Sequence, residues 1–230
     1  MTLALALIDR AQAVVAADSL RLDLSGNSPT TSLATRTAAS DHVVAVTAGV
    51  TGFPDADLAD LAAEAVQLRD VTEAARYVMQ RLGSRGRSVS PAYAEAAASG
   101  RVLASLLLAG VARRRPVLLR LDCSVRRRAL VWRMSRRSPG ARPVCVVAGL
   151  NHGRLRRYDT DVADGLDLRR ALTRDLSSAT GGRVDFAGVG TARALLLDAL
   201  EHHDECALPH WWPARTPAAL APITTARIAF

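Results

Sequence analysis

The most constraining feature of the chain lies at its start. Two short apolar stretches, Thr2 to Ile8 and Gln12 to Ala17, are separated by only Asp9, Arg10 and Ala11. Apolar residues run through both stretches without alternating, so the pattern predicts a hairpin whose strands are largely buried. Asp18 closes the second strand. A hairpin of this kind needs cover from other layers, and the remainder of the chain has to supply it.

Length permits that. A chain of 230 residues, 49% of them apolar, buries about 70% of its unfolded surface and needs no disulfide or metal staple. One domain spanning 1–230 is expected. Cys123, Cys145 and Cys206 form no CxxC pair, which argues against a disulfide framework and a paired-thiolate zinc site. A reducing, cytoplasmic setting is the simpler expectation. No apolar run approaches the roughly 20 residues of a membrane span. The opening segment lacks the positive start of a signal peptide.

The later elements follow from pattern. A polar loop is expected from Leu24 to about Thr35, then a third strand from His42 to Ala48 closing on Gly49. Helical spacing recurs over Pro54 to Arg69, and a second helix runs to about Leu82 with Thr72 as its cap. Val102 to Val111 and Pro116 to Leu121 read as a hairpin with Arg113 to Arg115 in the turn. Ala129 to Met134 and Val144 to Ala148 are further strands, and Ile223 to Phe230 is the last. Asp167 to Leu176 and Thr191 to about His203 read as helices. Strands, a helix pair, strands, then a helix and a strand form the succession of an α+β sandwich: two antiparallel sheets with a helical layer on each outer face. A doubly wound parallel sheet is the alternative.

Thr2-Leu3-Ala4-Leu5-Ala6, followed by Val14-Val15-Ala16-Ala17-Asp18-Ser19, resembles the N-terminus of proteasome β subunits and of the bacterial proteasome-like peptidase. In that family an N-terminal Thr precedes the Asp of an A-A-D-S motif by sixteen residues, the interval from Thr2 to Asp18. Ala48-Gly49, the helix pair, and the strands around Ala109-Gly110 and Pro116 to Asp122 agree in order. Gly188-Val189-Gly190 stands where the family has Gly-Ser-Gly. The resemblance covers about 2–125 and 183–203 and leaves an Arg-rich insertion at about 126–182. It implies a four-layer αββα Ntn-hydrolase fold, a homo-oligomeric ring, an unfolded polypeptide substrate and no cofactor or metal.

It also implies chemistry. In this family a threonine hydroxyl attacks the peptide carbonyl with its own α-amine as base. A free α-amine titrates near pH 7.7 to 8.0 and is partly neutral under physiological conditions. Thr2 would supply both groups once Met1 is removed. Asp18 would orient a cation, and the Gly49 N–H would stabilise the oxyanion. The family's cation is a Lys. All thirty basic residues here are Arg, so Arg36 is the nearest candidate, and a guanidinium balances charge without shuttling protons. Val189 replaces a Ser of the family's site. A non-catalytic subunit of a proteasome-like ring is the alternative.

Two other constellations remain. Between Arg113 and Arg157 there are fourteen Arg and one acid, Asp122. Such a stripe could hold phosphates, but Trp132 and Tyr158 make no stacking platform, so a solvated insertion is expected ahead of nucleic-acid binding. His202, His203, Cys206 and His210 are close enough in sequence to ligate zinc, but a polar helix end leading into a Pro and Trp loop is expected ahead of a metal site.

Overall fold

The computed structural model describes residues 3–23, 30–53, 56–83, 102–126, 129–141, 143–149 and 223–230. The opening hairpin is present as β1 (Leu3–Ile8) and β2 (Gln12–Asp18), paired antiparallel with Ala4 opposite Ala17. Asp9 stabilises the reversal by accepting hydrogen bonds from the Ala11 and Gln12 N–H groups. β11 (Val144–Gly149) pairs with β1 and β12 (Ile223–Ala229) with β2, giving a four-stranded antiparallel sheet ordered β11-β1-β2-β12.

The second sheet is larger. Its path runs β10 (Ala129–Arg137), β9 (Arg115–Arg126), β8 (Val102–Ala112), β6 (Val43–Phe53), β3 (Leu20–Asp23) and β4 (Thr30–Leu33). Two short strands, β5 (Thr37–Ala39) and β7 (Ala56–Asp57), pair with β6 off that path. All pairings are antiparallel except β3 with β6.

Helices α1 (Leu58–Ala65) and α2 (Val71–Gly83) lie on one face of this sheet. Leu58, Leu61, Ala62 and Ala65 of α1 and Val71, Ala74, Ala75 and Val78 of α2 share a core with Val43, Ala45, Leu106, Leu108, Leu119 and Leu121. Tyr77 of α2 donates a hydrogen bond to Glu64 of α1. The opposite face meets the smaller sheet: Val44, Val46, Ala48, Leu107, Ala109 and Leu118 pack on Ala4, Ala6, Ile8, Ala13, Val15 and Val146. The chain is thus an α+β sandwich with layers in the order helices, large sheet, small sheet. The outer face of the small sheet, with Leu3, Leu5, Leu7, Val14, Ala16 and Val147, is also closed to solvent. The helices expected at Asp167 to Leu176 and Thr191 to His203 lie outside the described residues.

Several expectations are corrected. The polar loop from Leu24 to Thr35 contains β4, and β3 precedes it; only 24–29 of that loop fall outside the described residues. The third strand does not close on Gly49 but continues to Phe53. Gly49 has φ +80°, and Ala48 faces the small sheet while Val50 faces the helices, so this residue resets the alternation of the strand. The first helix is shorter than the periodicity implied, starting after Asp57, whose carboxylate caps the Ala59 N–H. The cap of α2 is Asp70, accepting from the Thr72 and Glu73 N–H groups, instead of Thr72. The parallel alternative is excluded by the antiparallel register. Within the stretch 126–182, β10 and β11 are members of the two sheets.

No helix among the described residues is long and apolar enough to cross a membrane.

Candidate functional site

β2 finishes on Asp18 at the same end of the small sheet where β1 begins. The Leu3 N–H donates to Asp18 Oδ2 at 3.3 Å, tying the first described residue of β1 to the last residue of β2. Asp18 is fully buried.

The chain then crosses to the large sheet, and backbone bonds fix the return. The Ala34 N–H donates to the Ser19 carbonyl at 2.8 Å and the Thr47 N–H to the Arg36 carbonyl at 3.0 Å. These two bonds hold Arg36 between the exit of β2 and the middle of β6. Its guanidinium joins the sheets: Nε lies 4.0 Å from Asp18 Oδ1, and Nη1 and Nη2 each donate to the Gly49 carbonyl at 3.4 Å. A charge on each partner and a carbonyl on the far side offset the cost of taking both ions out of water.

Gly49 is required by both conformation and space. At φ +80° an L side chain is strained, and a β-carbon there would stand 2.2 Å from the Leu103 carbonyl oxygen. The backbone of β8 approaches β6 this closely because nothing projects from Gly49. Thr47 and Thr51, two residues to either side, bury their hydroxyls without a hydrogen-bond partner.

No family model and no curated protein matches the chain.

Three of the four residues singled out in the sequence, Asp18, Arg36 and Gly49, therefore stand together; Thr2 lies outside the described residues. Chemically, the assembly offers a carboxylate and a permanent cation sealed from water, beside a strand whose backbone carries a left-handed residue. Preorganised charges of this kind stabilise charge developing nearby more strongly than they would in water.

Sequence reasoning missed a second polar cluster. Ser105 Oγ donates to Asp122 Oδ1 at 2.6 Å, and Arg120 Nε contacts both carboxylate oxygens at 2.9 and 2.8 Å. Arg120 Nη1 also reaches the Val147 carbonyl at 3.2 Å, binding the two sheets together. The available signal was Asp122 as the single acid in an Arg-rich stretch, with Ser105 interrupting an apolar run at the position opposite it.

Cys123 and Cys145 are buried, and no disulfide joins them. Burial, reinforced by the Asp122 charge, pushes the Cys123 thiol up to about 12. Among the described residues no three His, Cys, Asp or Glu side chains converge as a metal site requires. The candidate zinc residues His202, His203, Cys206 and His210 lie outside them.

Proposed function

We propose that the chain is a subunit of a proteasome-like Ntn-hydrolase assembly, with peptide-bond hydrolysis through Thr2 as its reaction. The observation that carries this reading is the hydrogen bond from the Leu3 N–H to Asp18. It ties the residue following Thr2 to the carboxylate that faces Arg36. Two further features support it: the layer order of helices on a sheet on a sheet, and the sealed outer face of the small sheet, which suits a second helical layer in an αββα arrangement.

In this mechanism the Thr2 hydroxyl attacks the peptide carbonyl carbon, and its proton passes to the Thr2 α-amine, freed by loss of Met1. The oxyanion is held by the Gly49 N–H. The C–N bond then breaks, and the leaving amine takes the proton back from the Thr2 ammonium. Water enters with the α-amine again as base and releases the acyl group from the threonine ester. Arg36 keeps its charge throughout, so it balances Asp18 and lends a fixed positive field without taking part in proton transfer. The natural substrate is an unfolded polypeptide, and a homo-oligomeric ring confines the reaction to a chamber.

A second reading has its own observation. All three guanidinium nitrogens of Arg36 face scaffold acceptors, Nε toward Asp18 and both Nη atoms toward Gly49. A buried ion pair anchored to the backbone in this way serves a structural, non-catalytic ring subunit equally well.

Intact mass and turnover of unfolded casein or fluorogenic peptides separate the two. The catalytic reading expects loss of Met1 and turnover that Thr2→Ala abolishes while the fold is retained. Retained Met1, or turnover indifferent to Thr2→Ala, overturns it. A particle of defined size by mass photometry without turnover assigns the structural role.

A further inference from the structure

Arg113 and Arg114 form the two-residue turn between β8 and β9, and both adopt left-handed backbone angles, φ 49° and 63°. Turns of this shape favour Asn-Gly or Asp-Gly. A longer side chain costs about 1 kcal/mol or more at each position. An Arg-rich composition does not explain why arginine occupies the two positions where it costs most.

The hairpin also projects. Val43, the first residue of β6, pairs with Gly110, whereas β8 continues through Val111 and Ala112 before turning. On the other flank β10 ends with Arg137 opposite Leu118. Arg113, Arg114, Arg115, Arg136 and Arg137 are all exposed around this tip. Among the described residues no carboxylate pairs with Arg113, Arg114, Arg115 or Arg136. The acids at this end of the sandwich are otherwise engaged or separate: Asp9 and Asp70 accept backbone N–H groups of their own turns, and Asp41 is exposed between β5 and β6. Five arginines from segments twenty residues apart thus lie toward one end of the sandwich, away from Asp18 and Gly49.

We infer that this tip is a sequence-independent binding site for the phosphate backbone of nucleic acid. Guanidinium forks fit both phosphate and carboxylate, so the choice rests on what else the surface offers. A stable protein–protein contact needs an apolar centre. Of the large apolar side chains exposed among the described residues, Leu33, Val102, Met134 and Phe230, only Phe230, whose N–H donates to the Ala11 carbonyl, lies at this end of the sandwich, and one side chain makes no apolar centre. Binding to a polyanion driven by release of its counterions needs charge alone. Trp132 is half-buried and packs on Phe53 with ring centres 5.8 Å apart, so among the described residues Phe230 is the one exposed aromatic toward this end, and a single ring makes no platform for successive bases.

The test is fluorescence anisotropy of a short labelled DNA duplex of mixed sequence with the full chain, titrated between about 50 and 200 mM salt. The double variant Arg113→Asn/Arg114→Gly removes two cations and places favoured residues in the turn, so its thermal midpoint stays equal to or above that of the parent. The parent is expected to bind with log Kd rising linearly with log salt. The variant is expected to bind about tenfold more weakly at the lowest salt, with the slope reduced by about two. Absence of duplex binding at the lowest salt overturns the proposal, as does a variant with unchanged affinity and slope. Equal affinity for polyglutamate reassigns the tip to an acidic protein, and capture by anionic vesicles without duplex binding reassigns it to a membrane surface.

Discussion

Arg36 Nε stands 4.0 Å from Asp18 Oδ1 with both side chains sealed from solvent, and the guanidinium reaches the opposite sheet at Gly49. Removing either partner strands a charge. Arg36→Met and Asp18→Asn are each expected to lower stability by about 3–5 kcal/mol, and the double variant to recover a large part of the loss. Urea unfolding of the four proteins measures this; single variants within about 0.5 kcal/mol of the parent would show that the pair carries no such role.

Gly49→Ala is expected to be among the most damaging single changes in the chain. The new β-carbon would meet the Leu103 carbonyl oxygen at 2.2 Å at a backbone φ of +80°. Neither atom belongs to a flexible side chain, so β6 and β8 must separate, at a cost of at least about 3 kcal/mol. Soluble yield and thermal midpoint report it, and a midpoint equal to the parent's contradicts the close approach.

The readable parts of the fold were those with energetic signals confined to one segment. β1, β2 and β8 are runs of Leu, Val and Ala too long and too continuous for loops, and they appear where the pattern puts them, whereas β9 continues past the expected end at Leu121, through Asp122 and Ser124, to Arg126. β3, β4 and β5 are three or four residues long, and Thr30, Thr31, Ser32 and Thr37 resemble loop residues. Their order comes from partners far along the chain: β3 and β5 both pair with β6, and β4 with β3. Gly49 reads as a strand end because glycine favours turns, whereas here it lets two strands approach. At the site, Asp18 is marked by its place after an apolar run. Arg36 carries no local mark; the Ser19–Ala34 and Arg36–Thr47 backbone bonds that hold it join segments invisible to each other in the sequence.

The Ser105–Asp122–Arg120 cluster separates two kinds of loss. Ser105→Ala removes one donor and leaves the ion pair, so it should cost about 1 kcal/mol. Arg120→Leu removes the cation and the bond to Val147 together, leaving a partly buried carboxylate, and should cost about 2–3 kcal/mol. If chemical denaturation ranks the two variants in reverse order, Arg120 is not the tie between the sheets.

Cys123 makes stability fall in alkali. Its thiol is held up at about 12 by burial and then by Asp122, whereas an unfolded thiol ionises near 8.5. Between those values the unfolded chain has lost a proton that the folded chain keeps, so stability declines by about 1.4 kcal/mol per pH unit above about 8.5. Cys123→Ala should flatten this part of the curve. A disulfide reagent at pH near 8.5 should modify Cys123 only after denaturant is added, and prompt labelling of the native protein would refute its burial.

Because the backbone inverts its side-chain phase at Gly49, β6 behaves as two independent rulers laid end to end. Upstream, Val44, Val46 and Ala48 keep time with the seam between the sheets; downstream, Val50, which that phase would also aim at the seam, belongs to the helix-side core. A residue gained or lost within 50–53 would scramble only the short helix-facing part and leave the seam in step. The chain therefore has room to alter the rim beside the Asp18–Arg36 pair without disturbing the interior that holds it in place.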